Sequence, residues 1–315
     1  MLALLNVAIV IPAHNRKSIT LDCLQKLTKI DAAGVALQII VVDDGSTDGT
    51  SLAIQEHFNS VTVLKGDGNL WWSGATNLGV AHALHTGADY VLTLNDDVGF
   101  EPDFLLRMLE TAQKHPKSIV CCLICYENRP DIVLSAGRYR AGFLGYTTPA
   151  KYADQNVAAV TEEIIRTELE SGYAMLIPVE LFKLIGSFDA EKFPHHMGDM
   201  DFVLRARNAE YPVLVNTRAR LYTNPGKNYL FNVMVEKDFN SLLNSFFDIR
   251  SNANWKIRYN FMKAHTKPAI LAPVSFAYYL IRMSVLLLVK LILPQSLMRL
   301  VAERRYGKDI YINQR

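Results

Sequence analysis

The chain has 315 residues, half of them hydrophobic and a fifth charged, which is enough to bury a large core and excludes a low-complexity chain. Its net charge of +2 is unevenly placed: Arg250 to Arg315 carries 12 Lys+Arg against Glu303 and Asp309, a net +10 that leaves −8 elsewhere. Such a tail points to an anionic partner, a membrane surface ahead of nucleic acid.

Met1 to Val10 lacks the basic start of a signal peptide, and its apolar run is needed as a first strand near 7–11. That strand stops at Pro12-Ala13-His14-Asn15-Arg16, which offers backbone groups and a cation to a nucleotide. A helical pattern near 17–30 leads to a second strand near 37–42, ending at Asp43-Asp44-Gly45. Gly45 makes the turn and Ser46 or Thr47 caps a helix near 48–57. Asp44, beside a tight glycine turn, can accept a hydrogen bond from the N3–H of uracil or thymine. After a strand near 61–65 comes Gly66-Asp67-Gly68-Asn69-Leu70-Trp71-Trp72-Ser73-Gly74. Glycine-rich backbone approaches ligands closely, and consecutive tryptophans favour one in the core and one, Trp72, at the donor crevice.

A helical pattern near 74–86 and a strand near 89–94 end at Asn95-Asp96-Asp97. Two adjacent acids repel and lose hydration at a sheet edge, so a positive partner is needed. A hard divalent cation carrying a substrate diphosphate is the natural candidate; a solvated turn is the bland alternative. Strand ends with polar clusters also mark the ligand edge of open α/β sheets. A helix near 102–114 and a strand near 118–125 complete a βαβ alternation, which predicts a mostly parallel sheet with helices on both faces. Cys121, Cys122 and Cys125 lie in that last strand, and they read as buried free thiols in a reducing compartment.

Residues 126–170 read as strands and loops on the acceptor side, and Gly172 to Ile177 as a returning strand with a short helix to Ile185. Asp199 and Asp201 open a helical pattern to Asn208 and diverge by roughly 200°, so only one faces the crevice. The other is left to cap the helix or to pair with Arg205. His195 and His196 are candidates for a metal ligand, a second acid/base or a diphosphate donor, or form a polar loop that positions Asp199. Beyond, Val274 to Leu293 is long enough to span a bilayer. Ser275, Arg282 and Lys290 share one side of its helical wheel, leaving an apolar face with Tyr278 and Tyr279, the pattern of a helix lying in a membrane interface; a true span and a buried domain or homo-oligomer contact are the alternatives.

Five segments in order resemble family 2 glycosyltransferases of the GT-A fold: Val10 to Arg16, Val41 to Asp48, Gly68-Asn69 through Asn77-Leu78-Gly79, Asn95-Asp96-Asp97, and Gly198 to Arg205. The resemblance implies a catalytic domain over 1–225, with a nucleotide-sugar half to about 125, and a helical, membrane-associating extension over 226–315. It implies an inverting sugar transfer from a nucleotide-diphospho-sugar, UDP or dTDP favoured, to a glycan or lipid-linked acceptor, helped by Mg²⁺ or Mn²⁺. Pro12, Ala13, His14, Arg16, Asp43, Asp44, Trp72, Asn95 and Asp96 then fall on the donor side. Asp97 would be the metal ligand and Asp96 would lie nearer the ribose or sugar. Asp199 would be the base, Asp201 structural, with Gly172, His195 and His196 supporting. Asn95 replaces the first acid of the family's Asp-x-Asp, and Gly198 its usual glutamate. No histidine stands at Leu221-Tyr222-Thr223-Asn224, where many relatives hold a metal, so the ion would rest on Asp97, phosphate and water, or borrow His195 or His196. The implied setting is surface-polysaccharide or glycolipid synthesis at the cytoplasmic face of a membrane, with no nucleic acid involved. The alternative is a catalytically poor sugar-nucleotide-binding scaffold; a nucleotidyltransferase would need a lysine-bearing glycine-rich loop that is absent after the first strand.

Overall fold

The computed structural model describes residues 4–141, 146–149, 152–223, 239–294, 296–297 and 300. The chain divides into two compact units, residues 1–139 with 148–223, and residues 140–147 with 224–315.

The first unit is built on β1 (Leu5–Ala13), β2 (Val35–Asp43), β3 (Thr62–Lys65) and β4 (Tyr90–Leu94). These four are parallel neighbours in the order β4-β1-β2-β3, with Ile9 opposite both Ile39 and Leu92. Val7 to Ile11 are all buried because each face of β1 is covered. Val7, Ile9 and Ile11 share a core with Cys23, Leu24 and Leu27 of α1 (Lys17–Leu27) and with Phe104, Leu105 and Met108 of α4 (Phe104–Lys114). Val10 instead faces α3 (Trp71–His85), the helix that follows α2 (Thr50–His57) and β3. A strand buried on both sides reads as an unbroken apolar run, which is why these elements are legible from composition.

The other half of the sheet is mixed. After the two-residue β5 (Gly99–Phe100) come β6 (Ile119–Tyr126) and β7 (Arg129–Ser135), then the ribbon of β8 (Arg138–Ala141) and β9 (Tyr146–Pro149). β10 (Ile164–Thr167) and β11 (Ala174–Pro178) follow, and β11 inserts antiparallel between β4 and β6. β12 (Val213–Thr223) runs parallel to β6, with a register shift between Asn216 and Arg220. α5 (Val179–Ile185) starts directly after Pro178, and α6 (Gly198–Asn208) carries the second acidic pair. All four cysteines are free and buried, and burial pushes the Cys23 thiol up to about 12.

The second unit contains α7 (Phe239–Ser245), α8 (Trp255–His265) and α9 (Ala272–Ile292). Asn254 caps α8 by accepting the Ile257 amide. A small core joins Ala253, Met262, Tyr279 and Met283, and the Tyr279 hydroxyl donates to the Ala253 carbonyl at 2.7 Å. Tyr279 of α9 packs in this core, and Ser275 of the same helix is also buried. The expected pairing of Tyr278 and Tyr279 on one apolar face is therefore corrected: Tyr278 is exposed and Tyr279 buried. The exposed face carries Val274, Tyr278, Ile281, Val285, Leu288 and Ile292, spaced three and four apart along one stripe.

Gly79 shows how tightly α3 is seated. A Cβ there would lie 2.3 Å from Val10 Cγ1 and 3.2 Å from Val42 Cγ2. Replacing a mid-helix glycine by alanine ordinarily gains about 1 kcal/mol. Gly79→Ala should instead lower stability by about 1–3 kcal/mol through overpacking. Urea denaturation checks the sign, and a stabilised variant would show that α3 can lift off the sheet.

Candidate active site

The loops after β1, β2 and β4 lie side by side because those strands are adjacent and parallel. The first two are laced together: the Asp44 amide donates to the Ala13 carbonyl at 2.9 Å, and the Asn15 amide to Ser46 Oγ at 2.8 Å. The Thr47 amide donates to Asn15 Oδ1, and the His14 ring nitrogen Nδ1 donates to the Asp44 carbonyl. Pro12 is half-buried, Ala13 buried and His14 exposed at this edge. Pro12, Ala13, His14, Asp43 and Asp44 are thus brought to one place.

Asp43 and Asp44 are buried and serve backbone first. Asp43 accepts the Ser46 amide at 2.9 Å and the Ser51 hydroxyl, closing the Gly45 turn. Asp44 reaches across 24 residues to accept the Gly68 amide at 2.8 Å with one oxygen and the Trp71 amide at 3.0 Å with the other. It therefore acts as a remote N-cap for α3, which begins at Trp71, three residues before the expected start. Gly45 and Gly68, both with positive φ, meet back to back, since a Cβ on Gly45 would lie 2.8 Å from Gly68 Cα.

Both tryptophans are half-buried, so the expected division into one core and one crevice residue does not hold. The Trp72 indole N–H donates to Asn95 Oδ1 at 2.9 Å, and its ring meets the Phe188 ring edge-on. The Trp71 ring lies 5.7 Å from His195. Ser73 holds the histidine loop by donating its amide to the Pro194 carbonyl and its hydroxyl to the Phe193 carbonyl. His195 and His196 stack edge to face at 4.6 Å.

Arg16 supplies a positive partner for the Asn-Asp-Asp segment. Its Nη2 lies 2.9 Å from Asp97 Oδ2 and 3.3 Å from Asp96 Oδ1. Asp96 is almost fully covered and also accepts the Thr20 hydroxyl at 2.8 Å. Burial pushes its carboxyl above the ordinary range, and Arg16 and Thr20 oppose that shift. Asp97 keeps 18% of its side chain exposed.

β11 ties this segment to the second acidic pair. The Asn95 amide donates to the Tyr173 carbonyl at 3.0 Å. One residue earlier, the Gly172 amide donates to Asp199 Oδ2 at 2.8 Å, and the Met200 amide to Asp199 Oδ1. A Cβ on Gly172 would lie 2.8 Å from Asp199 Cβ, so the close approach requires glycine. Tyr173 is pushed up to about 12, by burial first and then by the negative field of Asp97. Asp201 turns away: it pairs with Arg205 at 2.8 Å, and Arg205 also donates to the Ile185 and Ser187 carbonyls.

Among the described residues no group of three His, Cys, Asp or Glu is arranged to hold a metal. A Mg²⁺-type ion held by one carboxylate, substrate phosphates and water needs no such group, and Asp97 supplies that one carboxylate at an accessible edge. The donor set fits in that form.

Residues 8–149 match the family model described as glycosyl transferase family 2. Over that stretch the chain is similar to family 2 glycosyltransferases. No protein of curated function matches the chain by sequence. The fold resembles GalNAc-T7, solved with UDP, GalNAc and Mn²⁺ (TM-score 0.59, 15% identity, 89% of this chain and 58% of that one). It also resembles S. aureus TarS (TM-score 0.54, 14% identity, 89% and 54%) and its 1–349 fragment (0.54, 15%, 96% and 92%). The chain spans little more than half the length of the first two. The architecture is thus the GT-A fold of glycosyltransferases.

Glu170 has no signal in the sequence beyond being a lone glutamate, yet it is fully buried two residues before Gly172. It accepts the Ser135 hydroxyl, the Gly137 amide at 2.5 Å and the Ser171 amide at 2.7 Å. Burial raises its carboxyl above the ordinary 4.5, against these bonds and the charge of Arg138. A raised folded-state value gives stability that is full below the unfolded value and fades as pH rises through the folded one. The stability of the wild type relative to Glu170→Gln should therefore be greatest near pH 4 and fall from about pH 4.5 upward. Chemical denaturation across pH checks this, and a relative stability that rises with pH would reverse the assignment.

Proposed function

We propose that this chain is an inverting, metal-assisted glycosyltransferase. It moves a sugar from a UDP- or dTDP-sugar to a hydroxyl of a glycan or lipid-linked acceptor. The carrying observation is the tie between the two acidic pairs: Asp199 is hydrogen-bonded to Gly172, next to the residue that pairs with Asn95. That tie supports a reading in which leaving-group chemistry and proton abstraction take place side by side, at the end of β4 and the start of α6.

Cleaving the sugar–phosphate bond builds negative charge on the departing diphosphate. A bound Mg²⁺ or Mn²⁺ supplies Lewis-acid stabilisation of that charge, and Asp97 is the residue that would hold it. Asp199 takes the proton of the acceptor hydroxyl as it attacks the anomeric carbon from the opposite side. Its two backbone hydrogen bonds orient the carboxylate and leave lone pairs for that proton. Asp44 keeps a second lone pair on each oxygen, so a pyrimidine N3–H can be added without breaking the loop it anchors. Asp201 serves architecture, and His195 and His196 line the loop before α6.

The second unit supports a membrane-surface setting in surface-polysaccharide or glycolipid synthesis. Its α9 buries one side in its own core and leaves the apolar stripe from Val274 to Ile292 open. An apolar stripe on a chain with a basic end suits the cytoplasmic face of an anionic bilayer.

Asp97→Ala should abolish metal-dependent nucleotide binding with the fold intact; unchanged Mn²⁺-dependent affinity by calorimetry would remove Asp97 from the metal site. Asp199→Asn should retain donor binding and lose about 10²–10⁴ in turnover. Asp201→Asn should mainly lower stability, by about 1–3 kcal/mol. The reverse outcome, an active Asp199→Asn beside an inactive, folded Asp201→Asn, would exchange their roles.

The double variant Ile281→Glu, Leu288→Glu alters only exposed positions of α9. It should lose sedimentation with phosphatidylserine vesicles at low salt while transfer to a soluble acceptor persists. Equal sedimentation of both proteins would sink the membrane assignment.

A further inference from the structure

Arg16 and a divalent ion have claims on the same carboxylate. The guanidinium nitrogen Nη2 sits on Asp97 Oδ2 at 2.9 Å and on Asp96 Oδ1 at 3.3 Å. Asp96 is 2% exposed and already accepts from Thr20, so an arriving cation meets Asp97, the more open of the two. We propose that Arg16 is the resident counter-cation of this pair, and that it yields Asp97 to a divalent ion only as its guanidinium moves onto the donor's diphosphate. Metal and nucleotide then load as a coupled pair. This rests on the metal-assisted reading above and adds an order of events to it.

The charge balance favours the exchange. With Asn95 in place of a third acid, the segment carries two carboxylates, and the Arg16 guanidinium lies within ion-pair distance of both. A divalent ion arriving alone would put a second cation against Arg16 on the same carboxylate and face its repulsion. A diphosphate arriving with the ion gives the guanidinium a better partner, because its planar fork binds phosphate oxygens two at a time. Arg16 is also within reach of a ligand. It sits just before α1 with non-helical backbone (φ −135°, ψ 36°), and its side chain is 35% exposed. The energetic coupling is reciprocal: whatever the nucleotide adds to metal affinity, the metal adds to nucleotide affinity.

The test uses the full chain and Mn²⁺, with whichever of UDP, dTDP and GDP gives the largest thermal shift. Mn²⁺ binding is read by titration calorimetry and electron paramagnetic resonance for wild type, Arg16→Gln and Arg16→Lys, each first confirmed folded by its unfolding transition. Mn²⁺ alone should bind Arg16→Gln roughly fivefold more tightly than wild type, the scale of a partly exposed ion pair. The nucleotide should strengthen Mn²⁺ binding in wild type, and that enhancement should shrink in Arg16→Gln. Arg16→Lys, which keeps the charge without the fork, should fall between. Equal Mn²⁺ affinity of wild type and Arg16→Gln, or an undiminished nucleotide enhancement in the variant, overturns this proposal and leaves the metal reading standing. If wild type takes up no Mn²⁺ even with nucleotide, the metal reading fails and takes this proposal with it.

Discussion

The hydrogen bond from the Asn95 amide to the Tyr173 carbonyl is the junction on which the site depends. It continues the antiparallel pairing of β4 with β11, whose register sets Ala174 opposite Leu94. A side chain's position along a strand is fixed by register, and a slip of one residue would send every side chain to the opposite face. Because Ala174 to Pro178 and Tyr90 to Leu94 are buried on both faces, such a slip would set every side chain into packing shaped for its neighbour. Core burial therefore sets the placement of Gly172, and through Gly172 that of Asp199.

Carboxylates at this sheet edge are held by donors that belong to the protein. Asp43 and Asp44 take backbone amides, Asp96 takes Thr20 and Arg16, Asp199 takes two amides, and Glu170 is ringed by a hydroxyl and two amides. Desolvation penalises each charge, and each fixed donor offsets part of that cost. The same donors fix where the carboxylates point. Electrostatic preorganisation and loop structure are here one set of bonds.

Local patterns were readable from the chain. The runs that became β1, β2 and β4 are buried on both faces, so their apolar composition marked them, and the Asp201–Arg205 pair follows from a spacing of four on a helix. Contacts between distant segments were not. Asp44 caps α3 from 27 residues before Trp71, and Arg16 reaches Asp97 over 81. No periodicity encodes either. The tryptophan pair misled because alternation in or out is a strand rule, whereas Trp71 and Trp72 begin a helix whose first residue has positive φ. Tyr278 and Tyr279 parted for a related reason: a wheel shows which residues share a face, and only the neighbouring α8 determines which face is covered.

The contact between Gly45 and Gly68 carries an evolutionary consequence. A Cβ on Gly45 would strike Gly68 Cα and N, which are backbone atoms that cannot rotate away. Both residues also hold positive φ, so each is confined independently of the other. Two positions 23 residues apart are thus frozen together, and neither can drift by a single substitution without opening the seam between the β2 turn and the start of α3. Asn69, exposed just after Gly68, carries no such restraint, so variation at this edge should accumulate there, on a backbone that stays the same.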